Sequence, residues 1–124
     1  MVTGAAGGIG RASALRIASE GGSVFCIDLN REAVDATVSD IVSRGGEASA
    51  QVCDVADEGS VRDSVKACVS RYGSLYALVN MAGLLRFDDT EHLATADWQR
   101  IVDVNLTGTL LLCREALPHL LESG

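Results

Sequence analysis

At 124 residues the chain has enough material for one domain with one core of ordinary size. Hydrophobic residues make up 48% and charged residues 22%, and no apolar run approaches the roughly 20 residues of a membrane span, so a globular chain with no membrane partner is expected. The net charge of -7, with only ten Lys and Arg spread along the chain, argues against a nucleic-acid partner. Any phosphate group must then be held locally, by backbone.

The predicted elements follow in chain order. Met1 and Val2 lead at once into "TGAAGGIG", residues 3–10, a turn in which Ile9 is the one bulky side chain. No leader segment precedes it, which sets a cytoplasmic expectation. Residues 11–20 carry Ala14, Leu15, Ile17 and Ala18 at helical spacing and close on Gly21 and Gly22. Residues 23–28 form a short β-branched and aromatic run ending on Asp28, and the helical period resumes until Gly45 and Gly46. A third strand is expected in "EASAQVCDV". The next helix is expected to open with Ser60 paired to Asp63 as a cap and to bury Val61, Val65, Cys68 and Val69. Residues 75–80 predict a fourth strand. From Thr95, taken as an N-cap with Asp97 in the first turn, an apolar pattern runs to Leu121 as one long helix or two collinear ones bent near Gly108.

Strand and helix thus alternate four times, with strands too far apart for hairpins. The pattern predicts an α/β fold: a Rossmann-like, doubly wound parallel sheet of about four strands with helices on both faces. Cys26, Cys53, Cys68 and Cys113 show no C-x-x-C spacing and lie in apolar runs, which predicts four reduced core thiols. Trp98 is expected in the core. His92 and His119 have no neighbouring ligand pattern and predict surface positions and no metal site, while Asp88, Asp89 and Glu91 read as a solvated acidic loop or a substrate-side rim.

The glycine turn is where chemistry enters. A helix N-terminus offers unpaired N–H groups and partial positive charge, and the lack of side chains at Gly4, Gly8 and Gly10 would let a pyrophosphate approach. Glycines also serve tight strand-to-helix packing, so the turn alone does not decide between the two. Asp28 lies 18 residues beyond Gly10 at the end of the second strand, where a dinucleotide fold places the acid that binds the adenosine ribose, and where a plain helix cap would also sit. Asn105 shares a helical face with Trp98, Ile101, Val102 and Leu112, which puts an amide in need of partners among apolar groups, either as a structural bond to backbone or as a catalytic group.

These residues resemble the short-chain dehydrogenase/reductase family, whose turn T-G-x-x-x-G-x-G is matched by Thr3, Gly4, Gly8 and Gly10. Asp54-Val55, Asn80-Met81-Ala82-Gly83 and Asn105 fall in the family's order, with Met81 in place of its second Asn. The resemblance implies a cofactor site made by Gly4, Gly8, Ile9, Gly10, Asp28, Leu29, Asp54, Val55, Asn80, Ala82 and Gly83, with the Asp-Val pair at the adenine. It implies that Asn105 belongs to an Asn-Ser-Tyr-Lys catalytic tetrad.

In such a family the reaction is hydride transfer between a nicotinamide cofactor and a small-molecule alcohol or ketone. Asp28 followed by Leu29 favours NAD over NADP. Residues 1–124 are expected to be the dinucleotide-binding domain truncated at both ends, because only Met1 and Val2 precede the Thr-Gly of the turn, the Ser and the Tyr-x-x-x-Lys are missing, and the sole lysine, Lys66, follows neither tyrosine. Alone, the chain is expected to be inactive, and a non-catalytic nucleotide-binding or interaction module is the alternative. A second apolar side formed by Leu106, Leu110, Leu117 and Leu121 predicts a homo-oligomer.

Overall fold

A computed structural model describes residues 1–124. Its order is β1 (Val2–Thr3), α1 (Gly8–Ser19), β2 (Val24–Asp28), α2 (Arg31–Ser43), β3 (Ala48–Val52), α3 (Glu58–Tyr72), α4 (Thr95–Val102), a π-helical turn (Asp103–Thr107) and α5 (Gly108–Ser123). The strands form a parallel sheet ordered β1-β2-β3, with Val2 opposite Cys26 and Cys26 opposite Ala50. Helical connections are what parallel pairing requires, since two-residue turns cannot return a chain to a parallel start.

β2 shows why this sheet must be covered twice. Phe25 and Ile27 pack into one cluster with Cys53, Val55, Val61, Val65, Leu75, Leu111 and Leu112, drawn from α3, α5 and the strand ends. Val24 and Cys26, on the opposite face, pack with Val2, Ala5, Ala14, Ala18, Val34 and Ile41, drawn from β1, α1 and α2. The side-chain period of two therefore divides one buried strand between two cores, which is the doubly wound arrangement.

The fourth strand shrinks to a single bridge. Val79 pairs with Val2 beside β1, with Thr3 N–H donating to Val79 O at 3.0 Å and Val79 N–H donating to Met1 O at 2.9 Å. A partner strand of two residues supports no longer ladder, and beyond the bridge only the Ala77 carbonyl is held, by the Met1 amino group at 2.8 Å. Just beyond, Thr3 Oγ1 accepts both the Met81 and Ala82 N–H groups, at 2.9 and 2.8 Å. That buried hydroxyl ties the first strand to the residues that follow the bridge.

Several expectations are corrected. The N-cap of α3 is Asp57, whose carboxylate accepts the Ser60 N–H, while the Ser60 hydroxyl turns back to accept the Asp54 N–H. α4 is preceded by Ala94 with no side-chain cap, and Thr95 is already inside it. Trp98 is 57% exposed, and α4 buries none of its residues. Cys113 is exposed too, since it points off the covered face of α5, whereas Cys26, Cys53 and Cys68 are buried and free. Near Gly108 the long helix widens into the π turn, and there it runs so close to Val55 that a Cβ on Gly108 would lie 2.9 Å from Val55 Cγ2 and 3.0 Å from its carbonyl oxygen. Close packing, and not a bend alone, explains that glycine.

Candidate cofactor site

The carboxyl ends of β1, β2 and β3 open onto a cavity of about 550 Å³. Its wall combines Gly4, Gly8, Ile9, Gly10, Asp28, Leu29, Asp54, Val55, Ala82 and Gly83. Ten of the sequence-predicted site positions, spread over 80 residues of chain, thus meet at one place. A crevice at the carboxyl ends of parallel strands is where open α/β sheets bind ligands.

The glycines of the turn divide into two kinds. A Cβ on Gly10 would lie 2.1 Å from the Gly4 carbonyl oxygen, and one on Gly4, at φ +63°, would lie 2.7 Å from the Met81 carbonyl oxygen. These two let the turn fold against itself and against residues 81–82. Gly7 and Gly8 instead face open space, with nothing within 4 Å of a built Cβ. The close approach expected at Gly4 and Gly10 therefore belongs to packing, and the exposed cradle is at Gly7 and Gly8.

α2 and α3 begin with side-chain caps, from Asn30 and Asp57, but α1 begins at Gly7 with none. Its first N–H groups have no intrahelical partner, and the residues that carry them, Gly8, Ile9 and Gly10, line the cavity. An uncapped helix start with no side chain over it fits a pyrophosphate, which would accept from those N–H groups and meet the positive end of the helix. The residues present thus suit a dinucleotide.

Asp28 is fixed by the backbone on both oxygens. Oδ2 accepts the Ala6 N–H at 3.1 Å and Oδ1 accepts the Asn30 N–H at 3.0 Å. The same carboxylate therefore braces the glycine turn and keeps acceptor capacity toward the cavity. Ile9 and Leu29 flank it, exposed, as apolar walls. Deeper, Asp54 Oδ1 accepts the Ala56 N–H at 3.0 Å, and Oδ2 meets Arg100 Nη2 at 3.0 Å.

Asn80 and Asn105 do not line this cavity. Asn80 Nδ2 is directed at Cys113 Sγ, 3.5 Å away, and its Oδ1 is buried without a partner. Asn105 is exposed rather than sunk among apolar groups, and its amide clamps the Leu84 main chain: Oδ1 accepts from Leu84 N at 2.7 Å and Nδ2 donates to Leu84 O at 2.9 Å. Leu84 itself lines the cavity, so Asn105 acts on the site through it.

The structure adds Gly7, Cys53, Met81, Leu84, Arg100 and Val104 to the wall. Gly7 was legible as one more glycine of the turn. Arg100 carries no local signal, because its link to Asp54 spans 46 positions and exists only once the chain is folded. Arg86, paired with both Asp88 and Asp97, clips the acidic loop to α4. That loop is exposed, as is His92, while His119 is partly buried beside Glu122.

The sequence profile of the short chain dehydrogenase family matches residues 1–124. D-threitol dehydrogenase of Mycolicibacterium smegmatis is 37% identical over all of this chain and 48% of its own length. Cyclohexanol dehydrogenase of an Acinetobacter species is 36% identical, again over all of this chain and 50% of its own. Among solved structures, a metagenomic short-chain oxidoreductase in complex with NADP superposes with a TM-score of 0.93 at 31% identity, over 98% of this chain and 56% of that one. The chain thus spans about half the length of the curated relatives it matches. Matched from end to end, and with the glycine turn, Asp28 and Asp54 gathered on one cavity, the chain belongs to the short-chain dehydrogenase family.

Proposed function

We propose that these residues form the dinucleotide-binding part of an NAD-dependent oxidoreductase that acts on a small alcohol or ketone. The observation that carries the reading is the uncapped start of α1 at Gly7 and Gly8, opening on the same cavity as the fixed Asp28 carboxylate. The N–H groups of Gly8, Ile9 and Gly10 hold the pyrophosphate, Asp28 accepts from the adenosine ribose hydroxyls, and Asp54 and Val55 face the adenine. Ala82 and Gly83 leave room for the nicotinamide end. The cofactor supplies the hydride acceptor or donor; this chain binds and orients it.

NAD is preferred because a 2′-phosphate would bring negative charge to Asp28. At about 5 Å and an effective dielectric of about 20, like unit charges cost roughly 3 kcal/mol. Arg31, the basic residue nearest in sequence, makes only a loose, exposed pair with Asp35 at 3.7 Å, and by reaching a phosphate it would soften this preference. The NADP bound to the metagenomic relative belongs to that protein. Titration with both dinucleotides tests the reading, and equal affinity with Asp28 intact contradicts the NAD assignment.

The 124-residue chain alone binds but does not turn over, since it has no Tyr-x-x-x-Lys to act as proton donor. Asn105 is a positioning residue, holding the Leu84 main chain at the cavity wall. Four thiols without a disulfide suit a reducing compartment, which supports a cytoplasmic location. Leu106, Leu110, Leu117 and Leu121 are all more than half exposed along the π turn and α5, and an apolar helix face of that length supports pairing with a second copy.

A further inference from the structure

Arg100 and Asp54 lie 46 positions apart in sequence, yet Arg100 Nη2 stands 3.0 Å from Asp54 Oδ2 at the cavity wall. The carboxylate is also held locally, by the Ala56 N–H on Oδ1, and its own main-chain N–H is held by Ser60 Oγ at 3.1 Å. Its plane is thus fixed from two directions. The two side chains keep 41% and 32% of their surface exposed, at which an ion pair contributes little to stability. Arg100 is nevertheless the one residue of α4 that reaches the cavity.

We propose that Arg100 is a positioning residue for base recognition: it holds Asp54 so that the free lone pairs of the carboxylate face the cavity and select a base edge that donates a hydrogen bond. This rests on the placement of adenine at Asp54 proposed above. A carboxylate oxygen has two acceptor sites, and each oxygen here has one committed within the protein, leaving one apiece. The exocyclic amino group of adenine satisfies such an acceptor. The C6 carbonyl of hypoxanthine in the same place cannot donate and sets oxygen against oxygen. Without the guanidinium, the carboxylate turns toward solvent and the discrimination fades.

Adenosine and inosine 5′-diphosphates differ at the C6 substituent and the accompanying proton on N1 and share ribose and phosphates, so the ratio of their Kd values cancels the general loss of attraction that follows removal of a cation. In the protein carrying this sequence, the ratio is expected to favour the adenine nucleotide by about tenfold or more, the range of a charge-assisted hydrogen bond. Arg100→Gln is expected to bring it below about threefold, and in an Asp54→Asn background the same substitution is expected to change it no further. A ratio unmoved by Arg100→Gln but collapsed by Asp54→Asn overturns the role of Arg100 alone. A ratio that neither substitution moves, or a wild-type protein that does not separate the two nucleotides, overturns the placement of the base as well.

Discussion

The carboxamide of Asn105 pairs with the peptide groups of Leu84 on both sides, accepting from its N–H at 2.7 Å and donating to its carbonyl at 2.9 Å. Asn105 lies in the π turn and Leu84 in the loop behind Gly83, so this clamp fastens the last helical segment to the cavity wall. Asn105→Ala is expected to cost about 1 kcal/mol in urea unfolding, the worth of two partly solvated hydrogen bonds. Hydrogen exchange at the Leu84 amide is expected to rise in the variant. Unchanged exchange there would show that the clamp is not what orders the loop.

The glycine turn gives a sharper contrast. Gly10→Ala drives a Cβ to 2.1 Å from the Gly4 carbonyl oxygen, backbone against backbone with nothing flexible to yield. A loss of about 3 kcal/mol is expected, at the upper end of overpacking costs. Gly7→Ala meets nothing within 4 Å, at an extended φ of -165° that any residue adopts. It is expected to leave the melting temperature nearly unchanged while weakening dinucleotide binding about tenfold or more by filling the cradle. A Gly7→Ala protein that binds as the wild type does places the pyrophosphate elsewhere.

That contrast also marks how far the sequence could be read. The alternation of elements, the end of β2 at Asp28 and the position of the α1 start follow from local pattern and were legible. Which glycine packs and which lies open was not, because it depends on where residues 81–82 cross the turn. The misplacement of Trp98 and Asn105 has one cause: helical spacing shows which residues share a face, and not whether anything covers it. Arg100 was invisible for the same reason, its partner being 46 residues away.

The cysteines separate by exposure. Burial pushes the Cys26 thiol up to about 11 and raises that of Cys68, so both stay protonated and unreactive near neutral pH, while Cys113 is open to solvent. An aromatic disulfide reagent at pH 8 is expected to modify one thiol rapidly in the native protein and four in denaturant. Fast modification of two or more native thiols contradicts the buried placement.

Along α5, Leu110→Glu with Leu117→Glu changes two residues that are more than half exposed, so the fold is expected to persist. Light scattering is expected to show association in the wild-type chain at micromolar concentration and its loss in the double variant. A wild-type chain that is monomeric at that concentration removes this face as a contact between copies.

Calorimetric titration of the protein with NAD and with NADP, repeated with Asp28→Ala, tests the central claim most directly. The site described here predicts that NAD binds at least about tenfold more tightly than NADP, given a like-charge cost of roughly 3 kcal/mol before screening, and that the alanine variant closes most of that gap. The variant is also expected to lose some stability, because the Ala6 and Asn30 N–H groups lose their acceptor. Equal affinity for both dinucleotides with Asp28 in place, or no binding of either, would contradict the account.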